Sequence, residues 1–193
     1  MSKQIAVIAG PSGSGKNSII NSIIEHHPNC TRLVTATTRS MRPGEADGVD
    51  YHFFPIERFD AELTSGNILE HRYVPHLDTH YGIYKPDLDA RLAEGKILLA
   101  QVDIIGARFL KEHYQATTIF IMPESIEQFR GRLKARNPEW SDKEFETRMK
   151  ISEEEIKIHS SEYDYRVINA DGMLPETVSN VVEILRKEGY NLA

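Results

Sequence analysis

The sequence predicts an α/β fold, in which helices cover both faces of a parallel sheet. Three continuous apolar runs carry this prediction, at residues 4–9, 97–102 and 117–122. Each run has the length of a strand, is mostly apolar as in a strand buried on both faces, and is followed by a segment with helical spacing. Strand and helix alternate in this way in parallel sheets because parallel neighbours need a crossover connection.

The remaining elements follow the same reasoning in chain order. Strands are predicted at residues 4–9, 33–35, 68–74, 97–102, 117–122 and 165–168. Helices are predicted at residues 16–26, 56–64, 86–93, 104–113, 123–133, 143–159 and 175–187. Pro86, Pro123 and Pro175 mark helix starts, where proline is tolerated because the first turn has no intrahelical N–H bond to lose. Residues 39–50 and 137–142 lack any period and are predicted to be loops.

Composition limits the function classes. A chain of 193 residues with 40% hydrophobic residues can build one core with a small insertion. The net charge of −6 argues against non-specific binding to nucleic acid or membrane surfaces. Cys30 is the only cysteine, so an internal disulfide and a cysteine metal cage are excluded. With no apolar stretch of membrane-spanning length and no signal-peptide pattern, we expect a cytoplasmic protein.

The strongest local signal lies between the first predicted strand and helix. It has the layout of a phosphate-binding P-loop, made of Gly10, Pro11, Ser12, Gly13, Ser14, Gly15, Lys16, Asn17 and Ser18. Glycines let backbone N–H groups point at phosphate oxygens, the helix start adds a favourable dipole, and Lys16 supplies a point charge. The loop therefore predicts a nucleoside triphosphate as ligand.

Asn17 departs from the P-loop pattern, which has Ser or Thr there to contact Mg²⁺. An amide oxygen can also bind a hard cation, and Mg²⁺ is held mainly by phosphates and waters. We therefore expect weaker metal positioning rather than loss of the metal.

A second group of residues indicates a second phosphate site. The polar loop at residues 35–45 carries Arg39 and Arg42, and Tyr51 follows downstream. Two guanidinium groups and a phenol hydroxyl suit a smaller phosphate ligand. Two arginines alone would more often be solvated surface residues.

Together the two motifs resemble the guanylate kinase family along the whole chain. The run T-T-R-x-x-R-P-G-E, followed by G-x-D-Y-x-F, is highly specific to that family. The resemblance implies a P-loop core at residues 1–34 and 85–193, a lid near 134–150, and an inserted monophosphate-binding lobe at 35–84, where the alternation breaks. It also implies phosphoryl transfer from Mg·ATP to a nucleoside monophosphate, above all GMP or dGMP.

The resemblance also assigns residues to the acceptor. Arg39, Arg42, Tyr51 and Tyr81 would hold the monophosphate, and Glu70 would accept hydrogen bonds from the guanine N1–H and N2 amine. Thr35 would lie near the base carbonyl, and Asp103 near the base and the metal, with Asn17 as the other metal-side residue. Ile83 stands where the family directs a small hydroxyl residue at guanine, which leads us to expect relaxed or altered base selection.

On the donor side, the resemblance assigns Lys16, Arg132, Arg136 and Arg148 to the transferring phosphoryl group, and Asn169 to adenine. Surface ion pairs are the competing interpretation for any one of the arginines. The acidic run at 153–155 is interpreted as a solvated face. Gln101 replaces a usual carboxylate, and the segment 72–80, with His76-x-Asp78-x-His80, is longer than in the family. That spacing indicates a hydrophilic insertion or, less often, a metal site.

Two other functions stay open. A related kinase could phosphorylate another nucleotide or a ribose bisphosphate on this scaffold. A non-catalytic guanylate-kinase-like module could bind phosphopeptides at the old acceptor site. The expected partners are nucleotide substrates, without nucleic acid or membrane, in a monomer or homodimer.

Overall fold

A computed structural model describes residues 3–193, except the side chain of His76. The strands are β1 (Ile5–Ala9), β2 (Cys30–Arg32), β3 (Ala36–Thr37), β4 (His52–Phe53), β5 (Ile68–Val74), β6 (Thr79–Tyr84), β7 (Ile97–Ala100), β8 (Thr117–Met122) and β9 (Tyr165–Ile168). The helices are α1 (Lys16–His26), α2 (Ile56–Thr64), α3 (Lys85–Ala93), α4 (Ile104–Tyr114), α5 (Ile126–Arg136), α6 (Asp142–His159) and α7 (Leu174–Lys187).

The core is a five-stranded parallel sheet in the order β2-β7-β1-β8-β9. Every residue of β1 and of β7 is buried, which explains why both read as unbroken apolar runs. Helices α1 and α7 supply one apolar cluster, with Ile19, Ile23 and Leu185, and α4 supplies the other, with Ala107 and Leu110. The predicted α/β class, with helices on both faces of a parallel sheet, is confirmed.

A second sheet lies within residues 36–84 and has the order β4-β3-β6-β5. Strand β6 is antiparallel to both of its neighbours, and β3 and β4 are parallel. The fully buried Phe59 of α2 packs on this sheet with Phe54 and Ile68. These residues therefore build a small apolar cluster of their own, apart from the two clusters of the core sheet.

The prediction of a strand at residues 33–35 is wrong. The chain pairs in the core sheet at Cys30–Arg32 and in the second sheet at Ala36–Thr37. Leu33 and Val34 are buried where the chain passes between the two sheets, so their apolar character reflects tertiary packing. Strands β3 and β4 have two residues each, too few for any period to show. Strand β6 was not predicted.

Helices α5 and α6 form a small cluster through Phe129, Leu133, Phe145 and Met149, which Trp140 covers. A capping box fixes the start of α6, because the Ser141 and Glu144 side chains each bond the other residue's backbone N–H. Within residues 3–193, we find no helix with both the length and the apolar character that crossing a bilayer requires.

Candidate active site

The P-loop depends on three glycines in the left-handed region. Gly10, Gly13 and Gly15 have φ of 139°, 89° and 94°. A Cβ on Gly10 would lie 2.4 Å from the Ile121 carbonyl oxygen, and one on Gly15 would lie 2.3 Å from Asn169 Nδ2. Both the backbone conformation and the close approach therefore require glycine at these two positions.

The start of α1 faces this loop with its N–H groups free of any side-chain cap. The N-cap residue is Gly15, which has no side chain to accept a bond from the first turn. The unpaired N–H groups and the positive end of the helix dipole together favour an anion. This geometry is what a phosphate-binding loop requires.

Lys16 lies folded back over the loop. Its Nζ donates to the carbonyl oxygens of Gly10 at 2.6 Å and Pro11 at 2.8 Å. Burial lowers the pKa of the Lys16 amine to about 8, with Glu155 acting to raise it and Arg136 to lower it further. A phosphate in the loop would favour the charged amine, because an opposite charge stabilises it.

Asn169 supports the loop from the core side. Its Nδ2 donates to the Ser14 carbonyl oxygen at 2.8 Å, and its Oδ1 accepts from the Thr177 hydroxyl at 3.1 Å. The side chain is buried, so its amide is engaged with the protein. A cleft of about 230 Å³ opens beside it, lined by residues that include Gly13, Gly15, Ser18, Arg132, Asn169 and Leu174. An adenine contact by Asn169 stays a prediction.

The three arginines expected at the transferring phosphoryl group lie in different surroundings. Arg132 donates to Asp171 Oδ1 at 2.6 Å and to the Asn169 carbonyl oxygen at 3.0 Å, which fixes it at the wall of that cleft. Arg136, the last residue of α5, acts electrostatically on Lys16. Arg148 is exposed on α6 and lies over the Trp140 ring, 5.4 Å from its centroid.

The second sheet gathers most of the predicted phosphate-binding residues. Arg39 pairs with both carboxylate oxygens of Glu45, at 2.8 and 2.9 Å, and lies 5.3 Å from the Tyr51 ring centroid. Tyr51 meets Tyr81 edge to face at 5.9 Å. Arg42 is exposed, and its backbone N–H donates to Glu45. Thr35 is buried at the entry to this sheet.

Glu70 is the unusual acidic group of the site. Its Oε1 is buried without a hydrogen-bond partner. Burial raises the pKa of its carboxyl to about 7, and Asp103 adds to that rise while Arg72 opposes it. A buried acceptor without a partner is costly, so this group is suited to a ligand that donates hydrogen bonds.

Asp103 is engaged at both carboxylate oxygens. Its Oδ1 accepts from the backbone N–H groups of Ile105 at 3.0 Å and Gly106 at 3.1 Å, which caps α4, and its Oδ2 accepts from Arg72 at 2.8 Å. Gln101 Oε1 accepts from Arg32 at 3.4 Å. The described residues include no cluster of three acidic, His or Cys side chains that could hold a metal. Asn17, the other residue expected near Mg²⁺, is exposed at the first turn of α1.

Ile83 is 1% exposed and packs in the apolar cluster with Val7, Leu33 and Leu98. The side chain packs between β6 and the core sheet, and it exposes no surface that a nucleotide could contact. Its expected influence on base selection stays a prediction, and any such influence in this conformation would act through packing.

The long segment 72–80 forms the hairpin of β5 and β6. Asp78, at φ 47°, ends its turn and accepts from the Tyr73 hydroxyl at 2.8 Å. His80 is half-buried, with its ring 4.8 Å from that of Tyr73 and 5.4 Å from that of Phe59. Asp78 and His80 are thus engaged in hairpin packing, which favours the insertion interpretation.

The sequence interpretation missed three residues. Arg72 pairs with Asp103, Gly106 lies against Glu70, and Glu155 is half-buried near Lys16 instead of lying on a solvated face. Arg72 has a signal in the sequence, since it stands two positions after Glu70, a spacing that puts both side chains on one face of a regular strand. In the structure, β5 has a register shift between Ile68 and His71. For Gly106 and Glu155 the sequence carries no such signal, because their neighbours are distant along the chain.

Comparison with known proteins finds similar sequences over almost the whole chain. The family model described as guanylate kinase matches residues 2–188. A guanylate kinase from Synechocystis is 31% identical over 186 residues, covering 96% of this chain and 94% of the relative. One from Clostridium perfringens is 36% identical over 185 residues, covering 95% and 83%.

Solved structures similar to this chain include a guanylate kinase. The crystal structure of guanylate kinase from Anaplasma phagocytophilum has a TM-score of 0.74 and 30% identity, covering 97% of this chain and 87% of that one. The SH3-kinase fragment of tight junction protein 3 shares the fold alone, with a TM-score of 0.54, 12% identity and coverage of 98% and 59%. From the family-model match over residues 2–188 and the relatives of 31% and 36% identity along almost the whole chain, it follows that this chain belongs to the guanylate kinase family.

Proposed function

We propose that this protein transfers the terminal phosphoryl group of ATP to GMP, giving ADP and GDP, and that it accepts dGMP in the same way. One observation carries the choice of acceptor. The half-buried carboxylate of Glu70 has a buried oxygen without a partner, in the same lobe as Arg39, Tyr51 and Tyr81. The guanine edge offers two N–H donors to such a carboxylate, whereas adenine offers an acceptor at N1.

The acceptor phosphate would be held by Arg39, Arg42, Tyr51 and Tyr81. Arg39 is already oriented by Glu45 and by the ring of Tyr51, so its planar guanidinium is restricted before the ligand arrives. Arg42 is exposed and keeps its side chain available for a phosphate. Thr35, at the entry to this sheet, is assigned to the base carbonyl.

The donor phosphates would occupy the P-loop. The uncapped N–H groups of α1 and the Lys16 amine would stabilise the charge that develops on the transferring phosphoryl group. Arg132 already lies at the wall of the donor cleft, and Arg136 and Arg148 would approach by closure of the lid near 134–150. A general base is unnecessary because the acceptor phosphate is an anion at pH 7.

Magnesium is the expected companion of ATP in this reaction. It would neutralise phosphate charge when bound, and Asn17 is the residue that would hold it beside the phosphates. A direct ligand role for Asp103 would require it to exchange its present partners, Arg72 and the first turn of α4.

In this proposal, ATP binds to the core of residues 1–34 and 85–193, and GMP binds to the lobe of residues 35–84. The net charge of −6 supports small nucleotide substrates over nucleic acid. We further propose a cytoplasmic enzyme that acts as a monomer or homodimer.

The test is ADP release from Mg·ATP with GMP, dGMP, AMP and ribose 1,5-bisphosphate as acceptors. We expect turnover with GMP and dGMP at a kcat/KM at least tenfold above that for AMP. Turnover with the sugar phosphate alone would contradict the proposal and favour the related kinase. Absence of turnover with every acceptor, while ATP or a phosphopeptide still binds, would favour the non-catalytic module.

A further inference from the structure

The carboxylate of Glu70 lies in a confined place between two elements. A Cβ on Gly106, in the first turn of α4, would lie 3.2 Å from Glu70 Oε2 and 2.9 Å from Val102 Cβ. Only a glycine leaves this room, so the edge of α4 limits where the carboxylate can lie. Its position therefore depends on how β5 is held against the start of α4.

Arg72 makes the polar contact that joins these elements. It stands two positions after Glu70 on β5, and its Nη1 donates to Asp103 Oδ2 at 2.8 Å, while Asp103 Oδ1 caps α4. The contact links the sheet of residues 36–84 to the helix that follows β7 of the core. Both partners are partly exposed, with 51% and 32% of their side chains accessible, so the pair is a modest restraint rather than a rigid one.

The charges around Glu70 also make its ionised form depend on Arg72. Glu70 and Asp103 are like charges, and Asp103 raises the pKa of Glu70 beyond the effect of burial, whereas Arg72 lowers it. Without the contact between Arg72 and Asp103, β5 would be held less closely against the start of α4, and the Glu70 carboxylate would be free to shift within the space beside Gly106.

We propose that Arg72 is a positioning residue for guanine recognition, which pairs with Asp103 and thereby holds β5 and the Glu70 carboxylate against the first turn of α4. This inference rests on the proposed function and extends it to a residue outside the binding motifs. Arg72 acts through Glu70 and Asp103, so its loss affects the choice of base more than the transfer step.

The experiment compares GMP with inosine 5′-monophosphate, which lacks the 2-amino group of guanine. We expect the wild-type protein to prefer GMP, because Glu70 accepts from both N1–H and N2. In Arg72→Gln, the ratio of the two kcat/KM values should fall about fivefold, the equivalent of one partly exposed ion pair. This fall should come from a higher KM for GMP in the variant. Its kcat and its KM for ATP should stay within about twofold of wild type.

Three further variants separate positioning from general damage. Arg72→Lys should recover the ratio, because the contact with Asp103 uses a single donor nitrogen that an ammonium can replace. Gly106→Ala should lower the ratio independently, since its methyl would displace Glu70 while alanine favours the helix. Arg108, which like Gly106 is in α4, forms an exposed ion pair with Glu162, a residue that follows α6. Arg108→Gln removes this pair and should leave the ratio unchanged. Thermal unfolding of each variant verifies folding.

The inference is overturned if Arg72→Gln keeps the wild-type ratio, if Arg72→Lys does not recover it, or if Arg108→Gln lowers it equally. Failure of the proposed function looks different, because the wild-type protein itself would then not phosphorylate GMP. Wild-type GMP turnover combined with an unchanged ratio in Arg72→Gln would thus reject the inference alone.

Discussion

The P-loop and the sheet of residues 36–84, which we propose as the acceptor lobe, differ in the kind of polar group that each leaves for a ligand. In the P-loop, Lys16 bonds two carbonyl oxygens and Asn169 bonds Ser14 and Thr177. In the acceptor lobe, an oxygen of Glu70 is buried without a partner. The loop thus presents uncapped backbone N–H groups to any anion and has a buried Ser14 Oγ without a partner, whereas the acceptor lobe presents a buried carboxylate oxygen that calls for a ligand with N–H donors.

This difference means that the P-loop contributes affinity for any triphosphate, whereas Glu70 contributes selectivity for the base. Preformed groups lower the ordering cost of binding any triphosphate, since the protein has little left to fix. An unpartnered buried acceptor adds little for a wrong ligand and discriminates strongly in favour of one with matching donors. ATP use should therefore be impaired by removing the Lys16 charge or the hydrogen bonds of Asn169 to the loop. GMP recognition should be impaired by removing one hydrogen-bond acceptor, that of Glu70.

The largest effect is expected for Lys16→Met. It removes the charge at the P-loop while keeping an apolar stem of similar length, so transition-state stabilisation is lost and kcat should fall at least about 1000-fold. The measurement is steady-state ADP release, with Lys187→Met, an exposed lysine near the chain end, as control. A loss below tenfold would show that Lys16 is not part of the transfer machinery.

Glu70→Gln should come next. An amide has one acceptor oxygen in place of the carboxylate and adds a donor, so it cannot match the two-donor guanine edge. We expect kcat/KM for GMP to fall about 100-fold, with KM for ATP unchanged. Glu57→Gln, an exposed acid on α2, is the control. Equal losses for GMP and ATP would contradict a base-reading role.

The pH dependence of GMP binding tests the same group. With the pKa of Glu70 raised to about 7, chiefly by burial, the ionised acceptor is lost as the pH falls through 7. The association constant for GMP should therefore fall up to about tenfold per unit below that pH. Calorimetric titration from pH 5.5 to 8.5 measures it. The phosphate of GMP also titrates, near about 6, so the comparison is with Glu70→Gln, whose curve should lack the Glu70 contribution.

The smallest effect is expected for Asn169→Ala, which tests the support of the loop. It leaves the buried Ser14 carbonyl and the Thr177 hydroxyl without this partner, and the free energy of unfolding should fall by about 1–3 kcal/mol. KM for ATP should rise while KM for GMP stays within about twofold. Urea unfolding and steady-state kinetics measure the two effects, with exposed Asn191→Ala as control. Unchanged stability would contradict the supporting role.

The sequence by itself determined the fold class and predicted the donor site. Residues 10–18 are contiguous, and glycine spacing between a buried strand and a helix is a local signal that depends on little else. The bounds of α1, α2, β5, β8 and β9 were also predictable, because each has a period or an apolar run that its own residues create.

Tertiary structure alone decided the details of the acceptor lobe. Leu33 and Val34 have the apolar character of a strand, yet they are buried between two sheets, and β3 and β4 pair over only two residues each. Arg72 meets Asp103, Gly106 leaves room for Glu70, and Glu155 approaches Lys16 across long separations in the chain. Such contacts depend on burial and on the packing of distant segments, which leave no pattern in neighbouring residues. The motif thus predicted the ligand class, and packing decided the surroundings of the groups that we propose select the base.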